Sequence, residues 1–145
     1  MFRRLLVPID GTSTALEAVD AAIAVARLSH ATLHVLHVVP SFPSVAYLAE
    51  RVHATRDLYE EEAAARALVW LSEARERVLG AGVPCESSYT FAARIHEAIV
   101  DAARDYDCDL IVMAAPLHLG LLPSMFTREM RAVMQASDVP VLAWR

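Results

Sequence analysis

The chain has 145 residues, 56% of them apolar, and a formal net charge of −5 at pH 7. This length suits one domain with a sizeable hydrophobic core, and the apolar content excludes a disordered chain. All 13 basic residues are arginine, so P-loop enzymes, protein kinases and Schiff-base enzymes, which depend on a lysine, are excluded. The basic residues form no stripe, so nucleic acid is not an expected partner.

No apolar run reaches the ~18 residues that a membrane-spanning helix requires. The first nine residues are too few for the apolar core of a signal peptide, and the turn-forming pair Asp10-Gly11 follows at once. We therefore expect a cytoplasmic protein that does not contact a membrane.

Apolar runs and amphipathic segments alternate along the chain. The run at 4–9 is continuous and ends at Asp10-Gly11, which is typical of a buried strand. Thr12 and Ser13 are candidate N-caps for the helix that follows. The apolar residues of this helix recur every three or four positions and are Leu16, Val19, Ile23 and Ala26.

A second strand is predicted over 31–39 because this segment is apolar and rich in β-branched residues. The segment 41–57 contains Pro43 and is expected to be irregular at first, turning helical from Val45. A long helix over 58–79 follows, ended by two nearby glycines.

The second half of the chain continues the alternation. Its predicted elements are a strand at 84–90, a helix around 95–106, a strand at 109–114, a helix at 125–136 and a strand at 140–144. Strands that alternate with helices form right-handed crossovers and a parallel sheet covered on both faces. The sequence therefore predicts one three-layer α/β domain over 1–145, with a five-stranded parallel sheet and four helices.

Ligands of such sheets bind beyond the carboxyl ends of the strands, where the strand order reverses. For the order 3-2-1-4-5, the reversal lies between the first and fourth strands. The candidate crevice residues are Asp10, Gly11 and Thr12 after strand one, Val38 and Val39 at the end of strand two, and 113–120 after strand four, including Met113, Ala114, Leu117 and Gly120.

Four segments, in order along the chain, resemble the universal stress protein family. They are LLVPIDGT at 5–12, LHVV at 36–39, CDLIVM at 108–113 and SDVPVL at 137–142. The resemblance implies a flavodoxin-like sheet of order 3-2-1-4-5 and a dimer. It also implies a stress-response function, and in one branch of the family it implies ATP binding through a loop after strand four.

The loop of that branch reads Gly-x-x-Gly, nine residues, then Gly-Ser or Gly-Thr. Counted from Met113, these positions are Ala114, Leu117, Thr127 and Arg128, so the three glycines and the final hydroxyl are absent. Glycines let the backbone approach a phosphate closely, and the leucine side chain blocks this approach. Pro116 removes a backbone donor, and Asp10 would repel phosphate unless a cation intervened. We therefore expect no ATP and no other cofactor.

Arg128 leaves a second interpretation open, because it falls near the start of the last helix. A helix N-terminus and an arginine fork both favour a phosphate, whereas an arginine paired with Glu129 in solvent would bind nothing.

The sequence therefore supports two main interpretations of the function. The first is a non-enzymatic, dimeric stress-response or regulatory protein that acts through unidentified protein partners or a small ligand unlike ATP. The alternative is an adenine-nucleotide sensor, or a slow ATPase, with an altered phosphate loop; a flavin or other redox cofactor is a weaker third.

Histidine and cysteine do not form a site in the predicted fold. His34 and His37 are three apart on a strand, so they point to opposite faces, and the other histidines are scattered; no metal site is expected. Cys85 and Cys108 begin strands three and four, three strand spacings apart, and should be reduced. No serine has a base placed beside it, so no catalytic residue is assigned.

The last strand is short, apolar and expected at an edge of the sheet, where it is free to pair with another chain. The interface residues would be Val141, Leu142, Ala143 and Trp144. We expect a two-fold homodimer in which these strands run antiparallel. The alternative is that Trp144 packs on its own domain.

Overall fold

The computed structural model describes residues 1–43, 45, 55–115 and 125–145. The strands are β1 (Arg4–Ile9), β2 (Thr32–Pro40), β3 (Cys85–Ala92), β4 (Leu110–Ala114) and β5 (Val141–Trp144). The helices are α1 (Ser13–Ser29), α2 (Arg56–Gly80), α3 (Ile95–Asp105) and α4 (Met125–Ala136).

All five strands are parallel and lie in the order β3-β2-β1-β4-β5. With right-handed crossovers, this order places two helices on each face of the sheet. This confirms the predicted α/β architecture, its five-stranded parallel sheet, and the edge position of β5.

Both ends of the first helix are capped. The Thr12 hydroxyl accepts a hydrogen bond from the Ala15 amide at 3.2 Å, so Thr12 is the N-cap. At the other end, His30 adopts the left-handed conformation with φ of 54° and its amide donates to the Ala26 carbonyl. The buried face of α1 is mostly alanine, so the helix lies close against the sheet.

Alternation along β1 divides the core into two layers. Leu5, Val7 and Ile9 pack with α1 and α2 on one face, whereas Leu6 packs with α3 and α4 on the other. Helices therefore cover both faces of the sheet, as strands that are apolar on both sides require. The opposite orientations predicted for His34 and His37 are confirmed, since His34 stacks on Tyr106 and His37 contacts Trp70.

The stretch after β2 becomes helical earlier than predicted. Phe42, Pro43 and Val45 are helical, and a proline suits the first turn of a helix because its missing amide hydrogen would have no partner there. The prediction for the rest of 41–57 falls partly on residues 44 and 46–54, outside the described residues. Among the described helices, none has the length and apolarity needed to span a bilayer.

Candidate functional site

The carboxyl ends of β1 and β2 form the floor of a cavity of about 310 Å³. Ile9, the last residue of β1, lies opposite His37, and β2 continues to Pro40. The described lining residues come from these strands and from α2, α3 and α4, and they are Pro8, Ile9, Asp10, His37, Val38, Val39, Pro40, Tyr59, Ala63, Arg66, Trp70, Ile95, Ile99 and Glu129. Most of this surface is apolar, which suits a small organic ligand.

Helix α2 contributes one wall. Tyr59, Ala63, Arg66 and Trp70 are spaced by four, three and four residues, so they share one helix face. Trp70 meets the His37 ring edge-on with centroids 5.0 Å apart. The Tyr59 hydroxyl donates to the Pro40 carbonyl at 2.5 Å, and burial raises the pKa of Tyr59.

Hydrogen bonds hold the polar side chains of Asp10, just after β1, and of His37 in β2. Oδ1 of Asp10 accepts from the amide of Thr12 at 3.0 Å and from its hydroxyl at 2.6 Å. His37 Nδ1 lies 2.8 Å from the Ile9 carbonyl oxygen. A carbonyl can only accept, so Nδ1 carries the proton, and in the neutral ring Nε2 is an acceptor.

Glu129 brings a second carboxylate to the cavity from α4. Its Oε2 atom is buried and accepts no hydrogen bond from the described residues, although His96 Nδ1 lies 3.3 Å away. A buried carboxylate oxygen without a donor is costly. Glu129 thus adds a second carboxylate to the lining of the cavity, and Arg66 is the described arginine in that lining.

The structure places the candidate crevice residues in four environments. Asp10 and Val38, with Val39, line the cavity, whereas Gly11 and Thr12 line a small recess of about 10 Å³ beside Trp70. Met113 and Ala114 are 0% and 2% exposed within β4. Arg128 is exposed and lies outside the described lining, although its neighbour Glu129 belongs to it. Leu117 and Gly120 lie outside the described residues.

Sequence reasoning missed the groups that α2 and α4 supply. The spacing of Tyr59, Ala63, Arg66 and Trp70 was the available signal, because two aromatic residues and an arginine on one face of a helix are unusual for a purely apolar contact. Nothing local pointed to Glu129, since its role depends on how α4 is rotated against the ends of the strands.

The first residue after β4 is still hydrogen-bonded to the neighbouring strand β5. The Ala115 amide donates to the Trp144 carbonyl at 2.5 Å, so this amide is committed to β5. The next residue in the sequence, Pro116, has no amide hydrogen. Two successive positions after β4 therefore offer no backbone donor to a ligand.

The exposed edge strand β5 carries two large apolar side chains. Leu142 is 38% exposed and Trp144 is 41% exposed, Ala143 is also exposed, and Val141 packs partly on the core. Trp144 is thus not enclosed by the described part of its own domain.

The cysteines and acidic residues of the described chain form no metal site. No group of three potential ligands is brought together within these residues. Cys85 and Cys108 are both buried and unpaired, as predicted. Burial raises the pKa of Cys108 to about 11, so this thiol stays protonated at neutral pH and is a poor nucleophile.

Comparison with known proteins gives one consistent result. The sequence profile of the universal stress protein family matches residues 1–145. The universal stress protein YxiE of Bacillus subtilis is 31% identical over 152 residues, covering 100% of both chains. A family structure from Burkholderia pseudomallei has a TM-score of 0.76 at 25% identity, covering 97% of this chain and 94% of its own. The universal stress protein of Archaeoglobus fulgidus in complex with dAMP has a TM-score of 0.73 at 21% identity, covering 99% and 98%.

Proposed function

Because this chain belongs to the universal stress protein family, we propose that it is a non-enzymatic, dimeric stress-response protein that binds a small, largely apolar ligand and not ATP. The observation that carries the exclusion of ATP is the state of the backbone after β4. The Ala115 amide is bonded to Trp144, and the proline that follows has no amide hydrogen. A triphosphate needs several converging donors, and this part of the chain supplies none at two positions.

The charges around the cavity support the same conclusion. Asp10 and Glu129 both line it, and the one arginine in the described lining is Arg66. Two carboxylates beside one arginine repel a triphosphate unless a cation intervenes. The carboxylates of Asp10 and Glu129 instead favour a ligand with a hydrogen-bond donor, such as an amine or a hydroxyl group.

The volume and surface of the cavity also favour a small ligand. About 310 Å³ lies at the lower end of the range for small-molecule sites, and Ile9, Val38, Val39, Ile95 and Ile99 supply an apolar lining. Such a surface binds by burying apolar area rather than by pairing charges.

A second candidate is the binding of an adenine mononucleotide. It is favoured by Arg66 and Trp70, which stand on the same wall of the cavity and could pair with one phosphate and contact one base. The Archaeoglobus fulgidus relative, whose structure is a complex with dAMP, favours this candidate as well.

Trp70 provides the test, because it lines the cavity and only one other tryptophan, Trp144, is present. In a Trp144→Phe background, emission comes from Trp70 alone. We expect ATP at concentrations up to about 1 mM to leave this emission unchanged. A dissociation constant above this concentration corresponds to a binding free energy weaker than about 4 kcal/mol. Extraction of freshly purified protein should release no stoichiometric nucleotide.

Titration with dAMP and the variant Arg66→Gln separates the two candidates. Saturable quenching by dAMP that is lost in Arg66→Gln would establish the mononucleotide alternative. Stoichiometric ATP in the extract, or saturation by ATP at micromolar concentration, would overturn the proposal. Glu62→Gln, an exposed position on the same helix, is the matched control for a change of one charge.

A further inference from the structure

The edge strand β3 lies at the side of the sheet opposite β5 and has a row of backbone groups that pair with no described residue. The Leu33 amide donates to the Pro84 carbonyl and the Ser41 amide to the Ala92 carbonyl, both at 2.9 Å. In a parallel ladder these bonds involve alternate residues. The even-numbered residues of β3 therefore face β2, and the amides and carbonyls of Ser87, Tyr89 and Phe91 face outward.

From Ser87 onward, the strand has no residue of the kind that protects an edge. Natural edge strands are usually blunted by lysine, proline or a bulge, whereas the eight residues of β3 contain neither lysine nor proline and pair with β2 in unbroken register. The Arg75 side chain covers one outward group, the Cys85 carbonyl, at 2.9 Å. The free stretch therefore begins at Ser87 and runs to Phe91, whose side chain is 36% exposed.

A groove of about 460 Å³ runs between this edge and α3. Small side chains create it, because Ala92, Ala98 and Ala102 lie where β3 and α3 face each other and leave the space between them unfilled. The residues from Ser88 to Ala92 form the strand side of the groove. A groove between an edge strand and a helix is the geometry by which proteins add an extended peptide to a sheet.

Carboxylates line the helical side of this groove. Glu97, Asp101 and Asp105 are spaced by four residues, so they form one stripe along α3. Arg94 pairs with Glu97 at 2.9 Å. Arg104 approaches Asp101 at 3.7 Å but is held by Asp138 at 2.7 Å, and Asp105 has no ion pair with a described residue. The stripe therefore keeps a net negative charge.

We propose that β3 and this groove bind an extended, basic segment of a partner protein. The segment pairs its backbone with Ser87, Tyr89 and Phe91 as an added strand. Its alternate side chains, arginine or lysine, enter the groove and meet the carboxylates of Asp101 and Asp105. This surface is separate from the cavity, so the proposal does not depend on which small molecule the cavity binds.

The probe is a capped, fluorophore-labelled heptapeptide in which valine and arginine alternate. The control peptide has glutamate in place of arginine. We expect the arginine peptide to bind in a fluorescence polarisation assay, more weakly at higher salt, and the glutamate peptide not to bind. Asp101→Asn and Asp105→Asn should each weaken binding roughly two- to five-fold. Glu61→Gln and Glu62→Gln, the same charge change on the exposed start of α2, should leave it unchanged.

Hydrogen exchange distinguishes strand addition from simple charge attraction. With the arginine peptide bound, the amides of Tyr89 and Phe91 should gain protection of about tenfold or more, whereas those of Ser88 and Thr90, already facing β2, should not change. Phe91→Pro removes an outward amide without breaking a bond to β2 and should abolish binding. Phe91→Ala, which keeps the amide, should retain most of it.

Three results would overturn the proposal. The first is equal binding of the glutamate peptide, and the second is binding that leaves the Tyr89 and Phe91 amides unprotected. The third is protection of these amides that appears with rising protein concentration alone, because it would identify a second copy of the chain as the occupant.

Discussion

Gly11 and Trp70 meet so closely that the residue at position 11 can have no side chain. Gly11 has φ of +82°, and a Cβ atom there would lie 2.6 Å from the Trp70 Cδ2 and Cζ2 atoms. The turn after β1 thus lets α2 bring its indole against the end of the strand. The same indole forms part of the cavity wall, so this contact links the stability of the fold to the shape of the site.

The variant Gly11→Ala should be destabilised by about 2 kcal/mol or more, because it adds left-handed strain to a steric clash. Gly82→Ala is the matched control, since Gly82 has φ of +77° but no atom within 4 Å of the added Cβ. We expect Gly82→Ala to lose only about 1–2 kcal/mol from the strain. Urea unfolding measures both, and equal losses would show that the Trp70 contact relaxes without cost.

His34 is a second residue with a measurable effect on stability. Its side chain is 3% exposed, its Nε2 lies 2.7 Å from the Ser88 hydroxyl, and its ring stacks on Tyr106. Burial lowers the pKa of His34 below 6.5, against the raising effect of Glu86 and with a smaller lowering effect from Arg4. The imidazole is therefore neutral in the folded protein at pH 7.

Because the unfolded chain has the ordinary histidine pKa, it binds more protons than the folded protein once the pH falls below about 6.5. The stability that His34 contributes is complete above this pH. It is lost as the pH falls toward the lower pKa of the folded state, by up to about 1.4 kcal/mol per pH unit. Urea unfolding between pH 7.5 and 5.5 should show this loss.

His34→Gln should flatten the pH dependence, whatever it does to stability at pH 7.5. The control is His30→Asn, because His30 is exposed and asparagine tolerates its left-handed backbone. An unchanged slope in His34→Gln would mean that another group is responsible. NMR titration of the His34 ring checks the direction of the pKa directly.

At the scale of elements, the two edge strands differ in what they expose. β5 has four residues, and its exposed side chains include Leu142 and Trp144, whereas β3 has eight residues with a groove beside it. A short apolar edge suits pairing with an identical strand across a two-fold axis. This is why we assign self-association to β5 and partner binding to β3.

Leu142→Arg should convert the proposed dimer into a monomer, because it places a charge at the centre of the β5 edge. Light scattering should give twice the chain mass of 15.9 kDa for the parent protein and the single chain mass for the variant. Leu28→Arg, at an 87% exposed position on α1, should remain dimeric. A parent protein that is monomeric at micromolar concentration would contradict the assignment.

At the scale of the whole molecule, the architecture was predictable because each strand carries its own signal. The run at 4–9 followed by Asp10-Gly11 predicted β1 with its observed bounds. β3 extends to Ala92, two residues beyond its prediction, because Ala92 pairs with the end of β2. Such pairing is a tertiary effect, and no local pattern records it.

The cavity was predictable only in part. Asp10 and Val38 follow directly from the rule that ligands bind at the carboxyl ends of strands, and both line it. Arg66, Trp70 and Glu129 reach the same space from helices distant in the chain. The positions of these side chains depend on how each helix is rotated against the sheet. Packing sets this rotation, and the spacing of apolar residues does not.

In a dimer joined through β5, the strand order places the two β3 edges at opposite ends of a ten-stranded sheet. Nine interstrand spacings of about 4.8 Å separate these edges by about 43 Å. Two basic segments on one flexible chain would need a linker of about 60 residues to reach both. Bivalent attachment would then raise the apparent affinity by avidity, so partners that are repetitive or oligomeric would be selected over single-copy ones.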